Sequence, residues 1–531
     1  MKLLNILLVF VLAIGVNLKA QKTEDELLED LFHNTYKFYQ ALRHSNGAYF
    51  DMVKMEGTTD RGSVANIGMG LMSLCVGHAM GWEPDAEQKV LQTLKAVSGQ
   101  VPGFKLPRTA KGCFIHFYDI NTGAARGSNW SPIDTDLMLG GALFARNYFS
   151  ENEEINTLAT KLYNTTDHSV FVGDVDKGQI ALGMNENGTP NGNWTVPFNE
   201  YMIVAWFAKN QANNVNSPAH KLWMKHYENP SSLKHAVYEG KNGDIAVASP
   251  SLSRFTSMFT FMFNHNFVHH FSSNKSYIDE MRMAMKADSA WWADRSDAGD
   301  VDLKALGWQP YEYGTGAGVG ASDSKYQVDR ICLPENMGTS KDQNQNLNVS
   351  PHILAGFSPA APERVRADLL SMLKDPRKIG QVDFEPGSTI LWKYSYSDLE
   401  WTPNKVEGVD YSCMFFGLAA LPQFLGTDFF NKYNDFFNGG PSAIRDHDME
   451  DKVVLSPNPS SDHVSLSGIT TGEGYDSLKV YGINGQVVKD MKVSTITDSK
   501  IQFSISDLRQ GNYVVCLSSD NSFITKRLIK Q

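Results

Sequence analysis

The chain has 531 residues, 42% hydrophobic and 20% charged, and a net charge of −11. That length carries a large core plus a smaller second domain. The acidic balance, without a basic stripe, argues against a nucleic-acid partner. Five scattered cysteines with no C-x-x-C spacing give neither a disulfide framework nor a cysteine metal site. One unspecified pair stays open.

Residues 1–20 read as a secretory signal. Lys2 supplies positive charge, Ile6 to Val16 the apolar core, and Leu18-Lys19-Ala20 a small residue before Gln21. The apolar run is too short to span a bilayer, and no other candidate transmembrane helix follows. The expected location is secreted or cell-surface.

From residue 21 to 437 the pattern reads as helix after helix. Thr23-Glu-Asp-Glu26 has the form of a capping box. It leads into Leu27, Leu28, Leu31, Phe32, Tyr36, Tyr39 and Leu42 at helical spacing. Further helices are predicted over 66–80, 85–97, 134–149, 155–165, 200–210, 277–292, 362–373 and 412–421. Small residues (Gly68, Gly70, Ser73, Gly77 and Gly140, Gly141, Ala142, Ala145) mark faces that a neighbouring helix can approach closely. Strand-like alternation is sparse, over 112–118 and 179–184. Residues 438–452 form a polar linker. From 453 the pattern switches to short strands with Asn-Gly and Gln-Gly turns, predicting a small all-β sandwich over 453–531.

Several segments carry a resemblance. Ser131-Pro-Ile-Asp-Thr-Asp-Leu-Met-Leu-Gly-Gly-Ala-Leu-Phe-Ala-Arg-Asn-Tyr-Phe149 is similar to a helix start of the bacterial glucoamylase-like glycosidases, a group that includes endo-β-1,2-glucanases and a domain of cyclic β-1,2-glucan synthases. Arg61–Gly68, Phe114–Gly123, Phe198–Ile203, Phe263–His269, Ser350–Pro362 and Gly408–Asp410 resemble further segments of that family in the same order. The resemblance implies an all-α (α/α)6 toroid acting on a β-linked glucan, β-1,2-glucan first. The C-terminal strands resemble the sorting domain of the type IX secretion system of Bacteroidetes. That implies the secretion machinery as a partner. A carbohydrate-binding sandwich is the alternative.

Glycoside hydrolysis needs one carboxylic acid to protonate the leaving oxygen and one carboxylate to activate water or attack carbon. Glu200 sits at a predicted helix start beside Trp194, Asn199 and Tyr201, and is the expected general acid. Asp134 and Asp410, both in first helical turns, are the expected partners; an N-cap is the other reading of Asp134. Asp136 is expected to support Asp134 beside the substrate. His116, Tyr118, Trp130, Trp194, Asn199, His265, His269, Trp308 and Tyr313 are the expected substrate contacts, the last two on the Gly307–Tyr313 run. His265 and His269 lie four apart without the intervening Glu of H-E-x-x-H, so no metal is expected. No cofactor is needed. Gly314–Gly320 is no nucleotide loop, because no apolar strand precedes it. A Ser/His/Asp triad finds no G-x-S-x-G support.

Several positions that are acidic in the family are neutral here; Asn129 stands where the family has a glutamate. A non-catalytic glycan-binding protein on the same scaffold therefore remains an alternative, as does a uronate-acting (α/α) lyase.

Overall fold

The computed structural model describes residues 22–212, 214–252, 254–297, 301–322, 324–437, 453–469, 475–482, 487–493, 500–518 and 523–531. The expected signal over 1–20 and linker over 438–452 lie outside the described residues.

The large domain is built on helices α1 (Glu24–Leu42), α2 (Val64–Ala79), α3 (Ala86–Val97), α4 (Pro132–Tyr148), α5 (Glu153–Asn164), α6 (Met202–Gln211) and α7 (Pro218–His226). They continue with α8 (Phe259–Phe267), α9 (His269–Ser272), α10 (Lys275–Arg295), α11 (Pro351–Gly356), α12 (Pro362–Lys374), α13 (Gly408–Ala419) and α14 (Gly426–Tyr433). The capping box forms at α1: the Thr23 hydroxyl accepts from Glu26 N at 3.2 Å, and Glu26 accepts from Thr23 N at 2.7 Å.

Two kinds of helix alternate. In α1, α3, α5 and α12 one apolar stripe is buried and the rest faces water. In α2, α4, α6, α8, α11 and α13 nearly every residue is buried. These enclosed helices touch in succession, α2 to α4, α4 to α6, α6 to α8, α8 to α11, α11 to α13 and α13 back to α2. A single apolar core runs from Leu28 to Phe436 through all of them.

The small residues work as spacers. A Cβ on Gly68 would lie 2.1 Å from Leu137 O, and one on Gly141 2.2 Å from Gly68 O. The α2 and α4 backbones are thus in direct contact. Gly417 of α13 meets Ala355 O of α11 in the same way, at 2.2 Å.

The C-terminal region is β-rich and has its own core of Val464, Leu466, Leu478, Val480, Val515, Leu517 and Leu528. An antiparallel three-stranded sheet (Val454–Ser456, His463–Ser467, Lys500–Ser504) and an antiparallel four-stranded sheet (Val487–Lys492, Ser477–Gly482, Gly511–Ser518, Phe523–Lys530) contribute to it. Cys75, Cys113, Cys332 and Cys413 are buried thiols outside any disulfide. Among the described residues no helix is long and apolar enough to cross a membrane.

Candidate active site

Two enclosed helices, α4 and α13, carry a carboxylate in the first turn, and one stands in the turn before a third, α6. Ser131 caps α4, its hydroxyl accepting from Asp134 N at 3.3 Å, with Pro132 in the first turn. The Asp134 carboxylate is therefore not spent on the cap. It lies 3.5 Å from His116 Nε2, and the His116 ring stacks on Phe117. Asp410 lies in the first turn of α13, with Glu407 at the position just before that helix.

Glu200 stands in the turn before α6, not in the helix. Phe198 has φ +67°, a left-handed conformation costly for a bulky side chain. Burial of its ring against Phe261 holds it there. The Asn199 side chain closes the turn, accepting from Tyr201 N at 2.9 Å and donating to Val196 O at 2.7 Å. Asn264 of α8 donates to Asn199 O at 3.0 Å. The turn that aims Glu200 is thus fixed by α8.

Asp51 joins two helix starts. Its backbone oxygen accepts from Asn66 Nδ2 of α2 at 2.8 Å and from Gly408 N of α13 at 3.0 Å. Its carboxylate pairs with Arg61 at 2.6 Å. The short strand Ala317–Val319 brings Val319 N to Glu407 Oε2 at 3.2 Å. Its partner strand Tyr326–Val328 brings the Tyr326 hydroxyl to Asp410 Oδ1 at 3.0 Å. Lys393, fully buried, holds this hairpin through Asp329 at 2.9 Å and Gly316 O at 3.1 Å.

The carboxyls feel one another. Burial raises the Glu200 carboxyl above the ordinary glutamate range; the Asp134 charge adds to this and Arg330 opposes it. Asp410 is pushed up to about 8, first by burial and then by Glu407, with Tyr326 and Lys393 pulling the other way. Water reaches the group, since Tyr326 is 52% exposed and Glu200 only half-buried. A polar hollow lined by Lys54, Asp60, Arg61, Arg126, Asn404 and Lys405 opens beside Arg61.

The other expected contacts divide. His116, Trp130, Trp194 and Asn199 are half-buried or exposed around Asp134 and the Glu200 turn. Trp130 bridges Ile115 and Met184, and Trp194 bridges Ala181. Asp136 does not face the same space as Asp134. It is fully enclosed and bonded to the equally enclosed His168 at 2.8 Å. Tyr118 is also in the core, its hydroxyl donating to Tyr49 O at 2.9 Å. His265 is buried, with burial holding its imidazole down to about 4. His269 bonds Asn434 at 3.0 Å, after α14. Trp308 donates to Glu312 O at 2.9 Å, and the buried Tyr313 ring lies under Arg364 of α12. In this structure Asp136, Tyr118, His265, Trp308 and Tyr313 are buried and serve packing, while His269 is half-buried.

Asp51, Tyr326, Arg330 and Glu407 were not among the expected site residues. Glu407 directly precedes the Gly408-Val-Asp410 segment and was legible there. Tyr326 and Arg330 sit in polar loop sequence with no periodic signal. Among the described residues no cluster of His, Cys, Asp or Glu is arranged to hold a metal ion.

Residues 455–531 match the family model for the secretion system C-terminal sorting domain. The large domain is similar in structure to an endo-β-1,2-glucanase from Chitinophaga pinensis: 14% identity, 78% of this chain and 97% of that one, TM-score 0.60. It is similar also to a glucoamylase-like protein from Bacteroides uniformis: 15% identity, 79% and 95% coverage, TM-score 0.61. A β-1,2-glucanase from Parabacteroides distasonis matches at 14% identity and TM-score 0.60, over 78% of this chain and 59% of that one. At these identities the likeness establishes a shared fold. No curated protein matches the chain in sequence.

Proposed function

We propose that the chain is an exported glycoside hydrolase acting on a β-linked glucan, with β-1,2-glucan the first substrate to test. In this reading residues 1–20 are a cleaved signal and 21–437 an (α/α)6 toroid. Residues 438–452 are a linker, and 453–531 a β-sandwich read by the type IX secretion machinery. The closed succession of enclosed helices supports the toroid, and the sorting-domain match supports secretion or surface attachment.

The feature that supports the activity is the placement of Asp134 and Asp410 in the first turns of α4 and α13 and of Glu200 in the turn before α6. Glu200, whose carboxyl burial pushes above the ordinary glutamate range, donates its proton to the glycosidic oxygen as the C–O bond breaks. Asp134, beside His116, takes a proton from the water that attacks the anomeric carbon. Asp410 holds a proton at neutral pH and acts as a hydrogen-bond donor to the sugar. Trp130 and Trp194 offer ring faces near the Glu200 turn.

The test is reducing-end release by the mature chain from a panel of β-glucans including linear β-1,2-glucan. Release from one of them supports the reading. Retention of a glucan in an affinity gel without release would replace it with a binding protein. An unsaturated, ultraviolet-absorbing product from a uronate polymer would replace it with a lyase.

A further inference from the structure

The polar hollow beside Arg61 has a volume of about 650 Å³, the size of a small-ligand site. Its walls lead into two helix starts: the strand Arg61–Ser63 runs into α2, and the strand Lys405–Glu407 into α13. Contacts tie it to candidate carboxylates on both sides. The Arg61 guanidinium sits 4.4 Å from the centre of the Phe117 ring, and His116 stacks on that ring at 3.7 Å. His116 Nε2 is in turn 3.5 Å from Asp134. On the other side Lys405 is 3.5 Å from Glu407, which precedes the helix that carries Asp410 in its first turn.

The charges that face this space are mostly positive. Lys54, Arg61, Arg126 and Lys405 line it, against two acids, Glu56 and Asp60. Lys54 and Lys405 stand directly opposite each other where Met52–Lys54 pairs with Lys405–Glu407, so both side chains leave one face of the ladder. Like charges in that relation destabilise a strand pair. Lys54 is exposed and, among the described residues, pairs with no acid. Lys405 reaches Glu407 only at a distance beyond a charge-assisted hydrogen bond. The other acids that hold the arginines stand behind them. Asp51, buried, takes Arg61 at 2.6 Å, and Asp119 takes Arg126 at 3.0 Å. Arg61 spends Nε and Nη2 on its pair, and Arg126 spends Nη2, which leaves donors of each fork unused.

We infer that this hollow binds a sugar unit bearing an oxyanion, a carboxylate or a sulfate ester, at the edge of the cleft between Asp134 and Asp410. This rests on the glycan reading and adds a substrate class to it. One anion seated between Lys54 and Lys405 neutralises both and removes the cross-strand repulsion. The unused guanidinium donors bind its remaining oxygens. Glu56 and Asp60 accept from sugar hydroxyls, which an inorganic anion does not offer. The mixed lining therefore fits an acid-bearing sugar, and it has no aromatic face on which a neutral ring would stack.

The test uses the full mature chain with three probes: linear β-1,2-glucan, the same glucan oxidised to carboxylate at C6, and the same glucan partially sulfated. Kd by calorimetry and kcat/KM for product release are measured for wild type, Lys54→Gln, Lys405→Gln and the double variant. Both are read at low and high salt, with circular dichroism to verify folding. At least one anionic form should bind about tenfold or more tighter than the neutral one, the worth of a hydrogen bond to a charged group. That ratio should fall in each single variant, and towards one in the double variant and at high salt. Binding of the neutral glucan should stay within about twofold in Lys54→Gln. A stronger response to the oxidised form assigns a carboxylate ligand, and to the sulfated form an ester. Cleavage of neutral glucan with no anion preference sinks the inference and leaves the hydrolase reading. Lysine-dependent binding of an anionic glucan without hydrolysis does the reverse. An anion preference that survives in the folded double variant overturns the inference, as does failure of both anionic forms to bind.

Discussion

The Tyr326 hydroxyl donates to Asp410 Oδ1 at 3.0 Å, joining the strand Tyr326–Val328 to the first turn of α13. This bond favours the charged form of Asp410 against burial and Glu407, which favour the neutral one. Tyr326→Phe removes it without changing shape. Product release is expected to fall about tenfold, the cost of one hydrogen bond to a charged or half-charged group. The pH limb set by Asp410 is expected to move upward. A rate and pH profile equal to wild type would mean the bond is not used.

Glu200→Gln keeps the size of the side chain and removes the proton. Proton donation contributes about 10²- to 10⁴-fold, so glucan cleavage should drop by that factor while the melting temperature stays near wild type. Full activity in the variant would remove Glu200 from the mechanism.

Asp410 gives a pH dependence of stability whose sign is fixed. Its folded carboxyl is held up to about 8, against an unfolded value near 3.9. Between those values the native state binds the extra proton, so this group's contribution to stability is lost as pH rises through that window. Asp410→Asn abolishes the penalty. Denaturant midpoints of variant and wild type should diverge in the variant's favour from pH 5 to pH 9. A gap that stays constant over that range contradicts the assignment.

Asp136 and His168 form an enclosed pair at 2.8 Å. Asp136→Ala leaves His168 without its partner inside the core and should destabilise the large domain by about 3–5 kcal/mol. Urea unfolding reads this directly. An Asp136→Ala chain as stable as wild type but with weakened glucan binding would restore Asp136 to the cleft.

Gly141→Ala tests the α2–α4 contact. Helix propensity favours Ala over Gly by about 0.8–1.0 kcal/mol. Here the added Cβ would sit 2.2 Å from Gly68 O, a backbone atom that no rotamer change can move. Overpacking costs about 1–3 kcal/mol or more, so the net change should be a loss of stability. A stabilised variant would show that the two helices can separate freely.

The sequence by itself determined the local parts. Thr23 and Glu26 close the first helix, Ser131 and Pro132 open the fourth, and the glycines at 68 and 141 mark the backbone contact. Each rests on neighbours a few residues apart, where helical spacing and capping chemistry act. It also marked Asp134, Glu200 and Asp410. What only the tertiary structure decided is which side chains share a space. Asp134 and Asp136 are two residues apart and so about 200° apart around the helix, and only the packing of His168, far along the chain, made Asp136 the enclosed one. Tyr118 and Tyr313 have the same composition signal as Tyr326, yet they ended in the core and Tyr326 over Asp410. Burial and the meeting of charges depend on contacts between distant segments, and the period of a helix carries no record of them.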